Sequence, residues 1–265
     1  MLSTSLLTKY TRLTATIIAL CWLLSACSSN HSSAVKSVYK PSGNPMQDVQ
    51  TALQTAKSTN KLLLVVMGAQ WCHDSRGLAD NFEDEELSQL LSANYHTVFV
   101  DVGYFNDLSH ITQRFEQAHY YATPTVMVIN PQTEHLINAS DMNIWGGAYS
   151  IPLSEYIAYF SRYEDNKRFL YTPVPTQYVD KITAFEQENA QRLTAAYNIL
   201  APNLKAQDNG GTASDLFTKQ WVEVKEYRTN LQKDIQRLRH QAISSPSQAL
   251  VFPFYPAFSW EQDPE

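Results

Sequence analysis

Cysteine is scarce in this chain: three residues in 265, Cys21, Cys27 and Cys72. A framework of several disulfides is therefore excluded, and the fold must stand on its apolar core. Basic charge is also in short supply, with 20 Lys and Arg against 26 Asp and Glu. An acidic chain lacks the electrostatic footprint of a nucleic-acid binder, so no nucleic acid is expected as a partner. Beyond the first 26 residues no apolar run is long enough to span a membrane. Internal repeats are absent. What remains is an ordinary globular composition, 44% apolar, sufficient for one or two cores.

The N-terminal residues read as a targeting segment. Lys9 and Arg12 precede Leu13 to Ala26, a mostly apolar, uncharged run that ends in small residues. Leu24-Ser25-Ala26-Cys27 resembles a bacterial lipobox. That resemblance implies cleavage before Cys27, lipidation of its sulfur and a membrane anchor. Ser28, rather than Asp, after the cysteine implies sorting to the outer membrane with the protein facing the periplasm. A plain signal peptide or an uncleaved anchor is the competing reading. Without residues 1–26 the chain keeps 18 basic and 26 acidic residues, a net charge of −8. Cys21 departs with the signal and Cys27 is consumed, so Cys72 is left as the single thiol.

Organisation follows from punctuation and period. Residues 27–45 are rich in Ser with two prolines and a glycine, a flexible tether. Asp48 precedes a helix carrying Val49, Ala52, Leu53 and Ala56. "KLLLVVMG", 61–68, has five consecutive Leu and Val residues and suits a strand buried on both faces. A helix follows over 75–92, then a strand over 95–102, a helix over 107–119 and a strand over 123–130. "PQTEHLINA" adds a turn and a partner strand. Gly146-Gly147 breaks the chain before a closing helix, Leu153 to Tyr163. Strands alternating with helices imply a sheet with covered faces. A helical extension occupies 164–241, where Ile182, Phe185, Leu193 and Leu200 form one apolar stripe and Phe217, Trp221, Val224 and Leu231 another. "APNLKAQDNGGTAS" is the loop between two antiparallel helices. Residues 242–265, rich in Pro and aromatics, strap onto the surface or expose a binding peptide.

The chemistry concentrates in "GAQWCHDSRG", 68–77. Cys72 stands between a buried strand and a helix, where unpaired backbone N–H groups and the helix dipole favour a thiolate, the nucleophilic form of sulfur. Protonated His73 would assist and Asp74 would oppose. Thr123-Pro124 lies just ahead of a later strand. Trp71-Cys72 at this place, Thr123-Pro124 downstream and the element order over 46–163 together resemble the thioredoxin family. Within it, WCHDS followed by TPT resembles a group of bacterial lipoproteins with a single motif thiol. The resemblance covers under half of the chain. It implies a thioredoxin fold, a central mixed sheet flanked by helices, carrying a C-terminal helical hairpin. It also implies a cis peptide before Pro124, facing Cys72, and a substrate platform of Trp71, His73, Thr123 and Pro124. The competing reading is a trans proline at a strand start.

Two departures matter. Ser75 stands where the family usually has a resolving cysteine. Val66 stands where thioredoxins keep a buried acid. With both gone, the second half of dithiol exchange is gone. Ser75 is expected to donate a hydrogen bond to the Cys72 thiolate. Cys72 can still attack a disulfide to give a mixed disulfide, whose release needs another thiol. The expectation is thus a monothiol exchange protein with Cys72 and Ser75 as its catalytic pair. It would act on protein thiols and disulfides or a small thiol such as glutathione, with no cofactor and no metal. Cys72 beside His73 is poor zinc spacing, since adjacent ligands have no second pair. The alternative is a non-catalytic binding module for an envelope protein. "EDEE", 83–86, reads as a solvated helix face. Substrate, reductant and oligomeric state are left open.

Overall fold

The run of Leu and Val after Lys61 becomes β1, Leu62–Gly68, and every one of its residues is buried. This computed structural model describes residues 37–163 and 172–262. Signal residues 1–26, Cys27 and the first part of the tether lie outside the described residues, as do 164–171 and 263–265. β1 is the middle strand of three. It pairs in parallel with β2, Tyr95–Asp101, and antiparallel with β3, Thr125–Ile129. The sheet is therefore mixed, and its central strand is apolar on both faces because helices cover both.

The first helix, α1, runs Pro45–Thr59. It begins three residues before Asp48, because Asn44 caps it by accepting from Gln47 N. The single helix expected over 75–92 is two: α2, His73–Phe82, and α3, Glu85–Asn94. Asp84 makes the break. Its carboxylate accepts from the N–H groups of Glu86 and Leu87 at 3.0 and 3.1 Å, which caps α3 and stops α2 from continuing. The acidic run is thus partly a cap.

The helix expected over 107–119 is confined to α4, Ser109–Gln113. Glu116 takes a left-handed conformation, φ 62°, and ends it. The strand expected after Pro131 reduces to one bridge, Ile129 to Leu136. The side-chain amide of Asn138 takes the ladder's place along β3, accepting from Val128 N and donating to Val126 O. A 3₁₀ segment, Met142–Ser150, kinks at Gly147 and leads to α5, Leu153–Ser161.

Two long helices follow, α6 at Thr176–Asp208 and α7 at Asp215–Ser244. They run antiparallel, since Glu186 meets Arg239 while Tyr197 meets Arg228. The loop expected over 201–214 is mostly helix. Pro202 lacks an N–H, but the buried stripe of Leu200 and Leu204 carries α6 past it. Ser214 then caps α7 through Phe217 N. Leu193, Tyr197, Leu200, Val224 and Leu231 share one apolar core with β1, so the extension is built onto the sheet. The tail is strapped down where Arg192 donates to Tyr255 O and Pro256 O and pairs with Glu261. Val251 and Phe254 of that tail remain exposed.

Candidate active site

Cys72 is the N-cap residue of α2, in extended conformation with φ −83° and ψ 120°. Gly68 ends β1, and Cys72 N–H closes the turn onto Ala69 O at 3.1 Å. The turn needs a residue without Cβ at 68. A methyl there would come within 2.7 Å of Ser75 Oγ and the Tyr39 ring. The thiol makes no side-chain cap to its own helix. Instead Cys72 Sγ donates to Thr123 O across 3.0 Å. The Thr123–Pro124 peptide is cis, as the resemblance implied. Cys72 is 8% exposed.

The sulfur is thus placed at the first turn of α2 with the Thr123 carbonyl as its partner.

The expected partner, Ser75, is engaged elsewhere. It is fully buried, and its Oγ accepts from Ala69 N at 3.3 Å. No Ser75–Cys72 hydrogen bond is formed among the described residues; the sulfur's partner is Thr123. Ser75 therefore braces the turn that carries Cys72. Its backbone carbonyl is held by Tyr39, whose hydroxyl donates to Ser75 O at 3.2 Å. Tyr39 is 4% exposed and packs edge-on to Phe99. Burial pushes its phenol well above its usual range, so it stays a donor. The tether read through residue 45 is consequently anchored from Tyr39 onward. Sequence reasoning missed Tyr39; its only signal was an aromatic residue alone in a Ser-rich stretch. Val66 lies fully buried in mid-β1, opposite Phe99 and Val126.

Trp71 and His73 meet different surroundings. Trp71 Nε1 donates to Gly103 O at 2.7 Å. Its ring packs edge-on against Phe105 and against Trp221 of α7, with centroids 5.1 and 6.2 Å away. Phe105 in turn stacks on Tyr197 at 4.1 Å. Trp71 is thus walled by the extension. His73 lies on the other side, with its side chain 57% exposed. Its ring sits 3.8 Å from that of Tyr149, itself 60% exposed. Asp74 fixes Tyr149 by accepting its backbone N–H at 3.1 Å. Thr123 therefore meets Cys72 directly and His73 is open to solvent, while Trp71 is partly buried against Phe105 and Trp221.

Among the described residues no cluster of His, Cys, Asp and Glu is arranged to hold a metal ion. A polar cleft of about 440 Å³, lined by Asp107, Ser109, His119 and Gln191, shares no residue with the motif. No helix among the described residues is long and apolar enough to cross a membrane.

Residues 44–131 match a family model described as thioredoxin-like. The chain carries the thioredoxin fold with a helical extension. That match contains β1, the Cys72 turn, β2 and the Thr123–Pro124 segment, and leaves α6 and α7 outside it. Among solved structures the chain is similar to a disulphide isomerase from Xylella fastidiosa Temecula1. The two are 22% identical, the likeness covers 48% of this chain and 96% of that chain, and the TM-score is 0.42. A likeness at that level says nothing of activity. No curated protein matches the chain.

Proposed function

We propose that this protein performs thiol–disulfide exchange with Cys72 as a single nucleophile, anchored by lipid on Cys27 to the periplasmic face of the outer membrane. One observation carries the redox part: Cys72 Sγ lies at the start of α2 and 3.0 Å from Thr123 O, the carbonyl next to Pro124. An extended substrate laid along residues 123–124 would reach that sulfur. The reaction is limited to one sulfur, because Cys72 is the free cysteine of the described residues and Ser75 stands one turn on. The Cys72 thiolate attacks one sulfur of a substrate disulfide. The S–S bond breaks, a mixed disulfide forms, and the other substrate sulfur leaves as a thiolate and takes up a proton. A second thiol, from the substrate or glutathione, then displaces Cys72.

Incubation with glutathione disulfide tests this by mass. One glutathione adds at Cys72, added glutathione removes it, and Cys72→Ala takes up none. A folded wild-type protein that takes up no glutathione overturns the proposal. The anchor is tested separately. Cys27→Ser leaves the membrane fraction; a variant that stays there with unchanged mass refutes lipidation.

A second reading, a binding module without turnover, is favoured by the burial of Cys72 and the occupation of its thiol by Thr123. Under it, partner binding survives Cys72→Ala.

A further inference from the structure

The segment that delivers Thr123 to Cys72 is gripped by the helical extension through a buried carboxylate. Glu186 of α6 is 4% exposed. It accepts from the Tyr121 hydroxyl at 2.9 Å and from Ala118 N at 3.2 Å. Its other oxygen accepts from Arg239 of α7 at 2.7 Å, and Arg239 also donates to Glu116 O. Tyr197 of α6 adds a bond to Tyr121 O at 3.4 Å. Burial first, and then the Glu186 charge, push the Tyr121 phenol far above its usual range, so it remains a donor. Four backbone or hydroxyl groups of residues 116–121 are thus held by α6 and α7, and Thr123 is two residues further on.

A purely structural clamp between the two halves needs no such density of bonds. Leu193, Leu200 and Val224 already join the core of the sheet. A carboxylate is costly to bury unless it is fully partnered. The observed partners all lie on the segment feeding Thr123 or on the neighbouring helix.

We propose that Glu186 and Tyr121 are positioning residues for the thiol site: through residues 118–122 they set the Thr123 carbonyl against Cys72 Sγ. The extension thereby tunes the sulfur from a distance. With the carbonyl held in place, Thr123 O occupies the sulfur at 3.0 Å until substrate displaces that contact. The inference rests on reading Cys72 as the reacting thiol.

The test compares four variants of the full chain. Two readings are taken on each: the iodoacetamide alkylation rate of Cys72, and the equilibrium constant for exchange with glutathione disulfide. Tyr121→Phe removes one hydroxyl, and Glu186→Ala removes the bonds from Tyr121, Ala118 and Arg239. Tyr121→Phe raises both readings about three- to tenfold, the scale of one lost hydrogen bond, and Glu186→Ala raises them at least as much. Glu186→Gln keeps an oxygen for Tyr121 and Ala118 but loses the Arg239 pair, so it melts lower while the exchange constant stays near wild type. Tyr227→Phe is the control. It removes a comparable buried hydroxyl, bonded to Asn189, and leaves both readings unchanged. If Glu186→Ala fails to fold, Tyr121→Phe still decides. Wild-type rates and constants in Tyr121→Phe overturn the inference while leaving the exchange function intact. A wild-type Cys72 that takes up no glutathione refutes the function instead. The positioning claim is then read from alkylation alone, where an unchanged rate in Tyr121→Phe overturns it.

Discussion

Trp71 and His73 flank one cysteine, yet one is packed among aromatic rings and the other is open to solvent. On the Trp71 side, aromatic rings continue without a gap through Phe105, Tyr197, Tyr120 and His119, with Trp221 closing the outer edge. On the His73 side one exposed tyrosine stands beside an exposed imidazole. The closed flank ties Trp71, next to the cysteine, to Phe105, Gly103 and Trp221. The open flank is where a second molecule has room to approach. The motif residues on either side of Cys72 therefore divide between one packed against the helical extension and one open to solvent.

The closed flank should break with the largest effect. Trp221→Ala removes the ring against Trp71 and leaves a gap between α7 and the site. A cost of about 2–4 kcal/mol is expected, read as a lower melting midpoint in urea. Trp71→Ala in the same background should add less than its separate cost, because the two rings share one contact. Full additivity would show that the extension does not wall this flank.

Next comes the turn itself. Ser75→Cys loses the bond from Ala69 N and puts a larger atom beside Gly68 and Tyr39. About 1–2 kcal/mol of stability should go. Residues three apart on a helix are neighbours, so mild oxidant should still form a reversible 72–75 disulfide, visible by mass. Two free thiols in a folded protein would mean that the turn differs from the one described.

How much of this was legible in the sequence depends on the range of the signal. β1 announced itself through five consecutive apolar residues, and the cysteine turn through its place after them. Pro124 stood where the family pattern requires it. The breaks were less visible. Asp84 splits α2 from α3 by capping bonds to Glu86 N and Leu87 N, hidden in an acidic run that reads equally as a solvated helix face. Glu116 ends α4 because Ala118 N turns to Glu186, 68 residues away, and no local period records such a partner. Pro202 misled in the opposite sense: a local helix breaker was overridden by the buried stripe around it. The contacts of Ser75 and Trp71 were not legible for one reason. Their partners, Ala69 N, Gly103 O and Trp221, are set by the tertiary fold and not by the motif.

A smaller effect sharpens the comparison through pH. His119, at the inner end of the closed flank, is 1% exposed, and its Nδ1 donates to Tyr120 O. Burial pushes its pKa below the ordinary 6.5, against the pull of that bond and of Asp107. The unfolded chain therefore binds the proton first. The stability associated with this group is fully present above pH 6.5 and is lost as pH falls through the depressed folded value. His119→Gln should flatten the melting profile between neutral and mildly acidic pH. An unchanged profile would remove His119 from the account.

The open flank should respond least in stability. Tyr149→Ala is expected to cost under about 1 kcal/mol while changing the rate at which a peptide disulfide, but not glutathione disulfide, reacts with Cys72. Equal changes with both would show that the His73–Tyr149 face does not meet the peptide.

The most direct measurement of the central claim is turnover. A disulfide-bonded peptide is mixed with excess glutathione, with and without the protein, and the rate of peptide reduction is followed. Wild type should accelerate exchange at least about tenfold, with no activity in the absence of glutathione and none in Cys72→Ala. Equal rates with wild type and Cys72→Ala would contradict the account, leaving a thioredoxin fold whose remaining sulfur performs no exchange.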